Sequence, residues 1–194
     1  MHEKIRELLT AYARTSLEAH EAAMVTETLR FIATEPQCLW RTCGPGHLTG
    51  SAWIVDATRS RTLLTHHLKL EKWLQLGGHA DGDGDLLAVA LREGCEESGL
   101  STLQPVTGSV FDVDRHWIPA RKTEPAHWHY DVRFMFEADA DEPLVRAANE
   151  SKELAWVDVA RVTELNPEES MARMVARRAR LSQGFSAGII PGHT

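Results

Sequence analysis

The sequence predicts a mixed α/β domain with a helical extension at its N-terminus. Segments with the periodicity of strands and of helices alternate along its 194 residues. Hydrophobic residues make up 43% of the chain and charged residues 25%, which is the composition of a folded globular protein. A chain of this length can bury one substantial core, so we expect one main domain.

The charge balance and the cysteines exclude several classes of protein. Acidic side chains outnumber basic ones by 28 to 21 and give a net charge of -7, so no nucleic-acid partner is expected. Cys38, Cys43 and Cys95 form no C-x-x-C pair, which favours a reducing cytoplasm over a disulfide framework. The N-terminus is charged throughout and the longest aliphatic run, 86–91, has six residues. We therefore expect a cytoplasmic protein without a signal peptide, a membrane span or a membrane partner.

Residues 1–35 are predicted to form two helices that precede the main domain. Apolar residues recur at helical spacing over 5–12, and Thr15 with Glu18 matches a capping box for the second helix. Pro36 is expected to end that helix. The two helices cover the surface of the main domain or contact a second subunit in a homodimer, and the sequence leaves both arrangements open.

The main domain is predicted over residues 36–194. Residues 51–56 and 62–65 have the composition of two strands joined by a short polar turn, as in a hairpin. A loop rich in Gly and Asp, 77–85, then leads into a helix predicted over 86–98, which ends before a glycine.

Strands and a helix are also predicted in the second half of the chain. Alternating patterns predict strands over 108–113, 130–137 and 154–157, and Pro167 opens a final basic helix. Residues 114–124 between the first two of these strands are predicted to be a long loop. Helices and strands thus interleave throughout one α/β domain.

Three glutamates share one face of the predicted helix 86–98. Glu93, Glu96 and Glu97 are three and four positions apart, which places their Cβ atoms within about 5–6 Å of each other. Cations or Arg92 would relieve the repulsion between them, and carboxylate oxygens are ligands that suit Mg²⁺ or Mn²⁺. Taken alone, however, such a pattern is more often a solvated acidic face.

The residues around these glutamates form a longer pattern, which decides between the two interpretations. It resembles the Nudix box, G-x5-E-x7-R-E-U-x-E-E-x-G-U, where U is a bulky aliphatic residue. Seven of the nine fixed positions agree, namely Gly78, Arg92, Glu93, Glu96, Glu97, Gly99 and Leu100.

The resemblance implies a fold, a reaction and a set of site residues. The implied fold is an α/β/α sandwich around a mixed sheet. The implied reaction is the Mg²⁺- or Mn²⁺-dependent hydrolysis of the diphosphate linkage of a nucleoside diphosphate joined to another group, such as ADP-ribose or a nucleotide sugar. Glu93, Glu96 and Glu97 are the implied metal ligands, and Arg92 is their orienting partner. Water is the nucleophile, and its proton passes to Glu97 or to a glutamate of a later polar loop such as Glu153.

Two positions depart from the pattern. Gly84 stands where the family has its first glutamate, so that role is lost or passes to Asp83 or Asp85. Asp85 comes directly before the predicted helix, and we expect it to be the N-cap. Gly94 replaces an aliphatic residue and should weaken the helix by about 1 kcal/mol relative to alanine.

Residues outside the pattern supply candidate substrate contacts. Gly78 and His79 lie at the Gly-Gly turn, where a phosphate could bind, and Trp117 in the predicted loop is the first candidate to stack on a nucleobase. Glu150 lies in the same polar segment as Glu153, and surface charge is the favoured role for each.

Histidines are numerous for one small domain, and two of them, His127 and His129, should share one face of a strand. A zinc site is one interpretation. Because no cysteine or spaced carboxylate accompanies the pair, hydrogen-bonded or surface histidines are the favoured one. The others considered are His66, His67, His79 and His116.

Other functions are weighed against the hydrolase. Asp81, Asp83 and Asp85 imitate an EF-hand loop, but Leu86 and Arg92 stand where its glycine and glutamate are needed. A dinucleotide-binding glycine pattern lacks its third glycine. Two alternatives stay open within the family resemblance: a non-catalytic module that senses a nucleotide, and an isoprenoid diphosphate isomerase, for which no pair of catalytic Cys and Glu can be placed.

Overall fold

The computed structural model describes residues 2–15, 17–121 and 124–186, with side chains described up to residue 179. Helices and strands interleave along this chain. The helices are α1 (Glu3–Ala13), α2 (Ala19–Thr34), α3 (Leu86–Ser98), α4 (Val162–Leu165, after a 3-10 turn at Val159–Arg161) and α5 (Glu169–Ser186). The strands are β1 (Gly46–Asp56), β2 (Arg61–His67), β3 (Trp73–Leu74), β4 (Leu76–His79), β5 (Gln104–Pro105), β6 (Asp112–Ile118), β7 (His127–Ala138) and β8 (Ser151–Asp158).

The strands form one eight-stranded mixed sheet in the described part of the chain. Its central path runs β3-β2-β1-β7-β5, while β4 pairs with β1, β6 with β7 and β8 with β2. The two longest strands, β1 and β7, lie side by side and parallel from Gly46 and Trp128 to Asp56 and Ala138. All residues of β1 are buried, as expected of a strand at the centre of a covered sheet.

Alternate residues of β1 and β7 point to opposite faces of the sheet. On one face, Leu48 and Ile54 of β1 join Phe134 of β7 in a core that α1, α2 and α3 cover. On the other face, Trp53 packs with Met171 and other apolar side chains of α4 and α5 in a second cluster. The predicted sandwich of helices around a mixed sheet is therefore confirmed.

The two N-terminal helices share the main core. Phe31 of α2 stacks on Tyr130 of β7 with ring centroids 4.0 Å apart. The Tyr12 hydroxyl donates to the Phe111 carbonyl oxygen at 3.2 Å, and the fully buried Glu21 accepts a hydrogen bond from Arg177 of α5 at 2.8 Å. The predicted N-terminal helices thus exist and are packed against the domain that follows them.

The cap of α2 differs from the one predicted. Thr15 donates its hydroxyl hydrogen bond backwards to the Tyr12 carbonyl at 2.8 Å, so it belongs to the end of α1. The N-cap is Glu18, whose backbone N–H donates to the Glu21 side chain at 3.0 Å. A capping box is present with the predicted spacing, but it begins at Glu18, three residues after the predicted position at Thr15.

Two segments predicted as loops are strands. Residues 114–118 of the predicted loop belong to β6, where they pair antiparallel with β7 and bring His116 opposite His129. Glu153 lies in β8, opposite His66 of β2. Neither segment has the regular apolar alternation of a strand, so only the neighbouring strand determines its conformation. Among the described residues, the helices are all too short or too polar to cross a membrane.

Candidate active site

Helix α3 carries the glutamates, and both of its ends are fixed by local interactions. The Asp85 side chain accepts a hydrogen bond from the Ala88 backbone N–H at 3.3 Å, which confirms the predicted N-cap. Asp83 in turn accepts from the Asp85 N–H at 2.8 Å. Gly99 ends the helix at φ 75°, a left-handed conformation that glycine adopts without steric cost.

Gly94 allows α3 to lie close to the sheet. A Cβ atom at this position would lie 2.8 Å from Cδ2 of Leu103 and 3.4 Å from the Cβ atom of Ala52 in β1. An aliphatic side chain would therefore require the Leu103 side chain to move. The departure from the family pattern weakens the isolated helix, but it fits the close helix-to-sheet contact of this protein.

Arg92 bridges two of the three glutamates. Its guanidinium lies 2.8 Å from Oε1 of Glu93 and 3.2 Å from Oε2 of Glu96. Glu96 is exposed, whereas only 16% of the Glu93 side chain is accessible. Burial raises the pKa of Glu93, although the charge of Arg92 opposes this effect.

Gly78 of β4 lies directly beneath Glu93. A Cβ atom at Gly78 would lie 2.3 Å from the carboxyl carbon of Glu93, so no side chain fits between them. The backbone of β4 and the carboxylates of α3 consequently form two sides of one narrow polar site. Gly78, Glu93, Glu96 and Arg92 are thus brought together as the sequence pattern implies.

Glu97 lies deeper than its neighbours and meets a glutamate from another part of the chain. Burial, together with the negative charges of Glu150 and Glu93, raises the pKa of Glu97 to about 8, while the Gly77 N–H acts in the opposite direction. A side-chain hydrogen bond with Glu150, which requires the protonated form of Glu97, also raises this pKa. We call Glu93, Glu96, Glu97 and Glu150 the glutamate cluster.

Glu150 is the site residue that the sequence analysis undervalued. The segment after Glu150 pairs with β2, and the Glu150 carbonyl oxygen accepts from the Leu68 N–H at 2.7 Å. Glu153, the glutamate preferred from the sequence, is exposed on β8. Glu153 is close to Glu150 in the sequence, but of these two residues only Glu150 interacts with Glu97. The polar composition of this segment was the available signal, and it could not distinguish the two.

The remaining predicted substrate contacts lie away from the glutamate cluster. His79 is next to Gly78 in β4, but alternation points its side chain to the opposite face of the sheet, where its ring centroid is 4.8 Å from that of His47. Trp117 of β6 packs edge-on against Trp128 at 5.0 Å and is half exposed. The strand order β6-β7-β1-β4 places it three strands from Gly78.

A second polar region covers the sheet face opposite α3. Asp131 of β7 accepts hydrogen bonds from Thr49 at 2.8 Å and from Ser51 at 2.7 Å. Buried Arg133 donates to Asp131 at 2.7 Å and to Asp112 at 2.8 Å. These groups satisfy each other and continue towards the histidines at the start of β1 and β7. The sequence analysis did not identify this network, since its members come from three different strands.

The sequence of residues 47–178 matches the family model of the NUDIX domain. The chain belongs to the Nudix family. The match includes β1, α3, β7 and Glu150, and therefore every described element that forms the two polar regions. No curated protein sequence is significantly similar to this chain.

Several solved structures share the fold of this chain. An Ap4A hydrolase from C. elegans superposes with a TM-score of 0.58 at 13% identity, covering 71% of this chain and 98% of that chain. A hydrolase of the NUDIX family from Clostridium perfringens has a TM-score of 0.51 at 25% identity, covering 70% and 97%. An E. coli dihydroneopterin triphosphate pyrophosphohydrolase has a TM-score of 0.53 at 14% identity, covering 67% and 92%. The predicted Nudix fold and the predicted hydrolase class are confirmed.

Proposed function

We propose that this Nudix hydrolase uses Mg²⁺ or Mn²⁺ to cleave the diphosphate linkage of a nucleoside diphosphate joined to another group, such as ADP-ribose or a nucleotide sugar. The observation that carries the proposal is the glutamate cluster. Its carboxyl groups crowd around Glu97, while Arg92 contributes a single positive charge beside Glu93 and Glu96. Additional cations would remove the repulsion that remains.

The donor set fits the proposed cations. Carboxylate oxygens are the ligands that Mg²⁺ and Mn²⁺ prefer, and we assign Glu93, Glu96 and Glu97 as those ligands. The pKa values of Glu93 and Glu97 are raised when no metal ion is bound beside them. A cation favours the ionised form and reverses this effect. When bound, such ions would neutralise the diphosphate and acidify a water molecule.

The residues of the chain have separate roles in this proposal. Glu97, or Glu150 beside it, accepts the proton of the attacking water, and contact with Glu97 makes Glu150 a better candidate than Glu153. Arg92 orients the Glu93 and Glu96 carboxylates. The absence of a side chain at Gly78 lets a phosphate approach the backbone of β4.

The substrate class rests on the family resemblance and on the acidic site, which binds phosphate groups through cations. The solved relatives named as an Ap4A hydrolase and a dihydroneopterin triphosphate pyrophosphohydrolase support the reaction class rather than one substrate. The roles of His79 and Trp117 as substrate contacts stay predictions. The side chains of both residues lie away from the glutamate cluster. The three cysteines are free thiols, which supports our proposal of a cytoplasmic protein.

A substrate panel tests the proposal. Nucleotide sugars, ADP-ribose, nucleoside triphosphates, dinucleoside polyphosphates and isoprenoid diphosphates are incubated with Mg²⁺, with Mn²⁺ or with EDTA, and phosphate-containing products are separated. We expect a nucleoside monophosphate from the first two classes, and no product in EDTA. The panel is repeated with the variant Glu97→Gln. Its control is Glu164→Gln, since Glu164 is exposed and, within the described part of the chain, pairs only with Arg161.

Each other outcome has a definite meaning. Full activity in EDTA contradicts the metal assignment. Turnover of triphosphates alone contradicts the substrate class and leaves the reaction class standing. Tight nucleotide binding without any product favours the sensor, and isomerised product favours the isomerase.

A further inference from the structure

Three histidines meet on the sheet face opposite α3, at the start of the two central strands. His47 of β1 lies beside His129 of β7 in the parallel register, and His127 projects from β7 on the same side. The ring centroid of His47 is 4.8 Å from that of His127 and 4.7 Å from that of His129. We call these residues the histidine trio. One candidate ligand nitrogen from each lies within 4.8 Å of the others.

The central member of the trio is buried and has unused hydrogen-bonding capacity. Only 1% of His47 is exposed, and neither of its ring nitrogens has a hydrogen-bond partner among the described residues. A buried polar group without a partner is destabilising, so native proteins rarely keep one without a function or a bound species. Its ring faces the other two imidazoles rather than the apolar core.

His127 is held in the orientation and tautomer of a metal ligand. Its Nδ1 lies 2.8 Å from the Pro125 carbonyl oxygen, which can only accept, so Nδ1 carries the proton and Nε2 presents a lone pair. Metal-binding histidines almost always use the second ring nitrogen in this way. Sequence position alone does not provide this contact; the turn before β7 does.

The distance between two of the nitrogens fits a shared ion. Nε2 of His127 and Nε2 of His129 are 3.2 Å apart. Ligand nitrogens at about 2.0–2.1 Å from a tetrahedral zinc ion are separated by about 3.3 Å. The wider separations to His47 stay within 4.8 Å, so ring movements of up to about 1.5 Å complete the same geometry.

We propose that His47, His127 and His129 bind one divalent transition-metal ion of the zinc class, with a fourth position open to water or to the neighbouring His79. Imidazole nitrogen suits zinc and its neighbours in the transition series, whereas Mg²⁺ requires oxygen. The ion would join β1 to β7, strands that are adjacent in space but 82 positions apart at His47 and His129. The site is separate from the glutamate cluster, because Glu93 lies against the opposite face of the sheet, at Gly78.

Cobalt provides a direct spectroscopic test. The protein, without any polyhistidine tag, is stripped of metal and titrated with Co²⁺ in excess Mg²⁺, which occupies oxygen sites. Tetrahedral Co²⁺ absorbs visible light far more strongly than octahedral Co²⁺ bound by oxygen. We expect this strong absorption to saturate at one equivalent and to disappear when Zn²⁺ is added.

Matched variants locate the ion. His129→Gln should weaken Co²⁺ binding at least about tenfold. His66→Gln is the control, since His66 is also a strand histidine but stacks on Trp73, outside the trio. The double variant Glu93→Gln/Glu97→Gln should retain the absorption. Circular dichroism verifies that each variant is folded.

X-ray absorption on the zinc-loaded wild-type protein keeps the test decisive if His129→Gln does not fold. Three or four imidazole nitrogens at zinc support the proposal, and the count distinguishes water from His79 at the fourth position. Two or fewer overturn it. The proposal is also overturned if the wild-type protein lacks the tetrahedral spectrum. It is overturned as well if the absorption survives in His129→Gln or is lost in the glutamate double variant.

Discussion

The glutamate cluster and the histidine trio are two polar groups on opposite faces of the same sheet, and they are built in opposite ways. Three members of the glutamate cluster follow each other along α3, so helix geometry alone brings them together. The histidine trio exists only because β1 and β7 pair in parallel. Spacing predicts the three helix members of the first group and the pair His127 and His129 of the second, whereas only tertiary contacts add Glu150 and His47.

Burial also affects the two groups differently. A buried carboxyl group resists ionisation, and burial together with the like charge of its neighbours raises the pKa of Glu97 to about 8. A buried imidazole avoids this penalty by staying neutral, and it then needs a partner for its lone pair. In the glutamate cluster negative charge is left uncompensated, whereas in the histidine trio the ring nitrogens of His47 are left without a partner among the described residues. We therefore propose different cations for the two groups.

Glu97→Gln should produce the largest effect. It removes a proposed metal ligand and proton acceptor, so we expect turnover to fall by about 10²–10⁴-fold in saturating Mg²⁺. The folded pKa of Glu97 lies above its ordinary value of 4.5, so ionisation above that pH destabilises the metal-free fold. The variant should therefore unfold at a higher temperature than wild type in EDTA at pH 7. Unchanged turnover would remove Glu97 from the mechanism.

Gly78→Ala should reduce turnover with little loss of stability. The new Cβ atom displaces the Glu93 carboxylate, which is the end of a flexible side chain, and a misplacement of about 1 Å can cost about 10²-fold in rate. Gly77→Ala is the matched control, because its Cβ atom would lie 2.7 Å from the Cα atom of Ser51 and must disturb the backbone. Kinetics and thermal unfolding of both variants check this. Equal destabilisation by the two would contradict the distinction.

His47→Leu should change stability in a direction that depends on metal. In EDTA it removes a buried polar ring without a recorded partner, so we expect the free energy of unfolding to rise by about 1–3 kcal/mol. With Zn²⁺ present the order should reverse, since only wild type gains the free energy of binding. Denaturant unfolding in both conditions measures this. A variant that is less stable than wild type even in EDTA would mean that His47 has hydrogen bonds of its own.

Asp85→Ala should have the smallest effect, and on stability alone. Loss of the N-cap of α3 costs about 0.5–2 kcal/mol, while the glutamates at the other end of the helix keep their positions. Asp83→Ala serves as the comparison, since Asp83 bonds the backbone N–H of Asp85 and no N–H within helix α3 itself. If Asp85→Ala abolished turnover without changing the unfolding temperature, Asp85 would be acting in place of the glutamate that Gly84 replaces.

Local interactions account for what the sequence predicted correctly. Asp85 caps α3 because its side chain reaches an N–H three residues away, and Gly99 ends the helix through its own backbone freedom. The expected cap at Thr15 is wrong because its hydroxyl bonds back to the Tyr12 carbonyl of α1, and the same three-residue spacing is used by Glu18 and Glu21 instead. Local rules therefore give the type of structure more reliably than its register.

Long-range pairing accounts for what the sequence could not predict. Trp117 was expected in a loop, and only the neighbouring strand β7 makes its segment a strand. Glu150 and Glu153 looked equivalent, and the course of the chain into β8 brought one of them to Glu97. From the sequence, Gly94 is only a residue that lowers the stability of helix α3. The structure adds a steric reason for a glycine at this position, namely its close contact with Leu103.

The sequence by itself determined the family resemblance, the capped helix α3 and the shared face of Glu93, Glu96 and Glu97, because all of these depend on contacts within a few residues. The tertiary structure alone decided that Glu150 joins them and that His47 meets His129. Those contacts join residues separated by more than 50 positions. No local periodicity encodes such a separation, since it is fixed only when the sheet pairs and its two faces are covered.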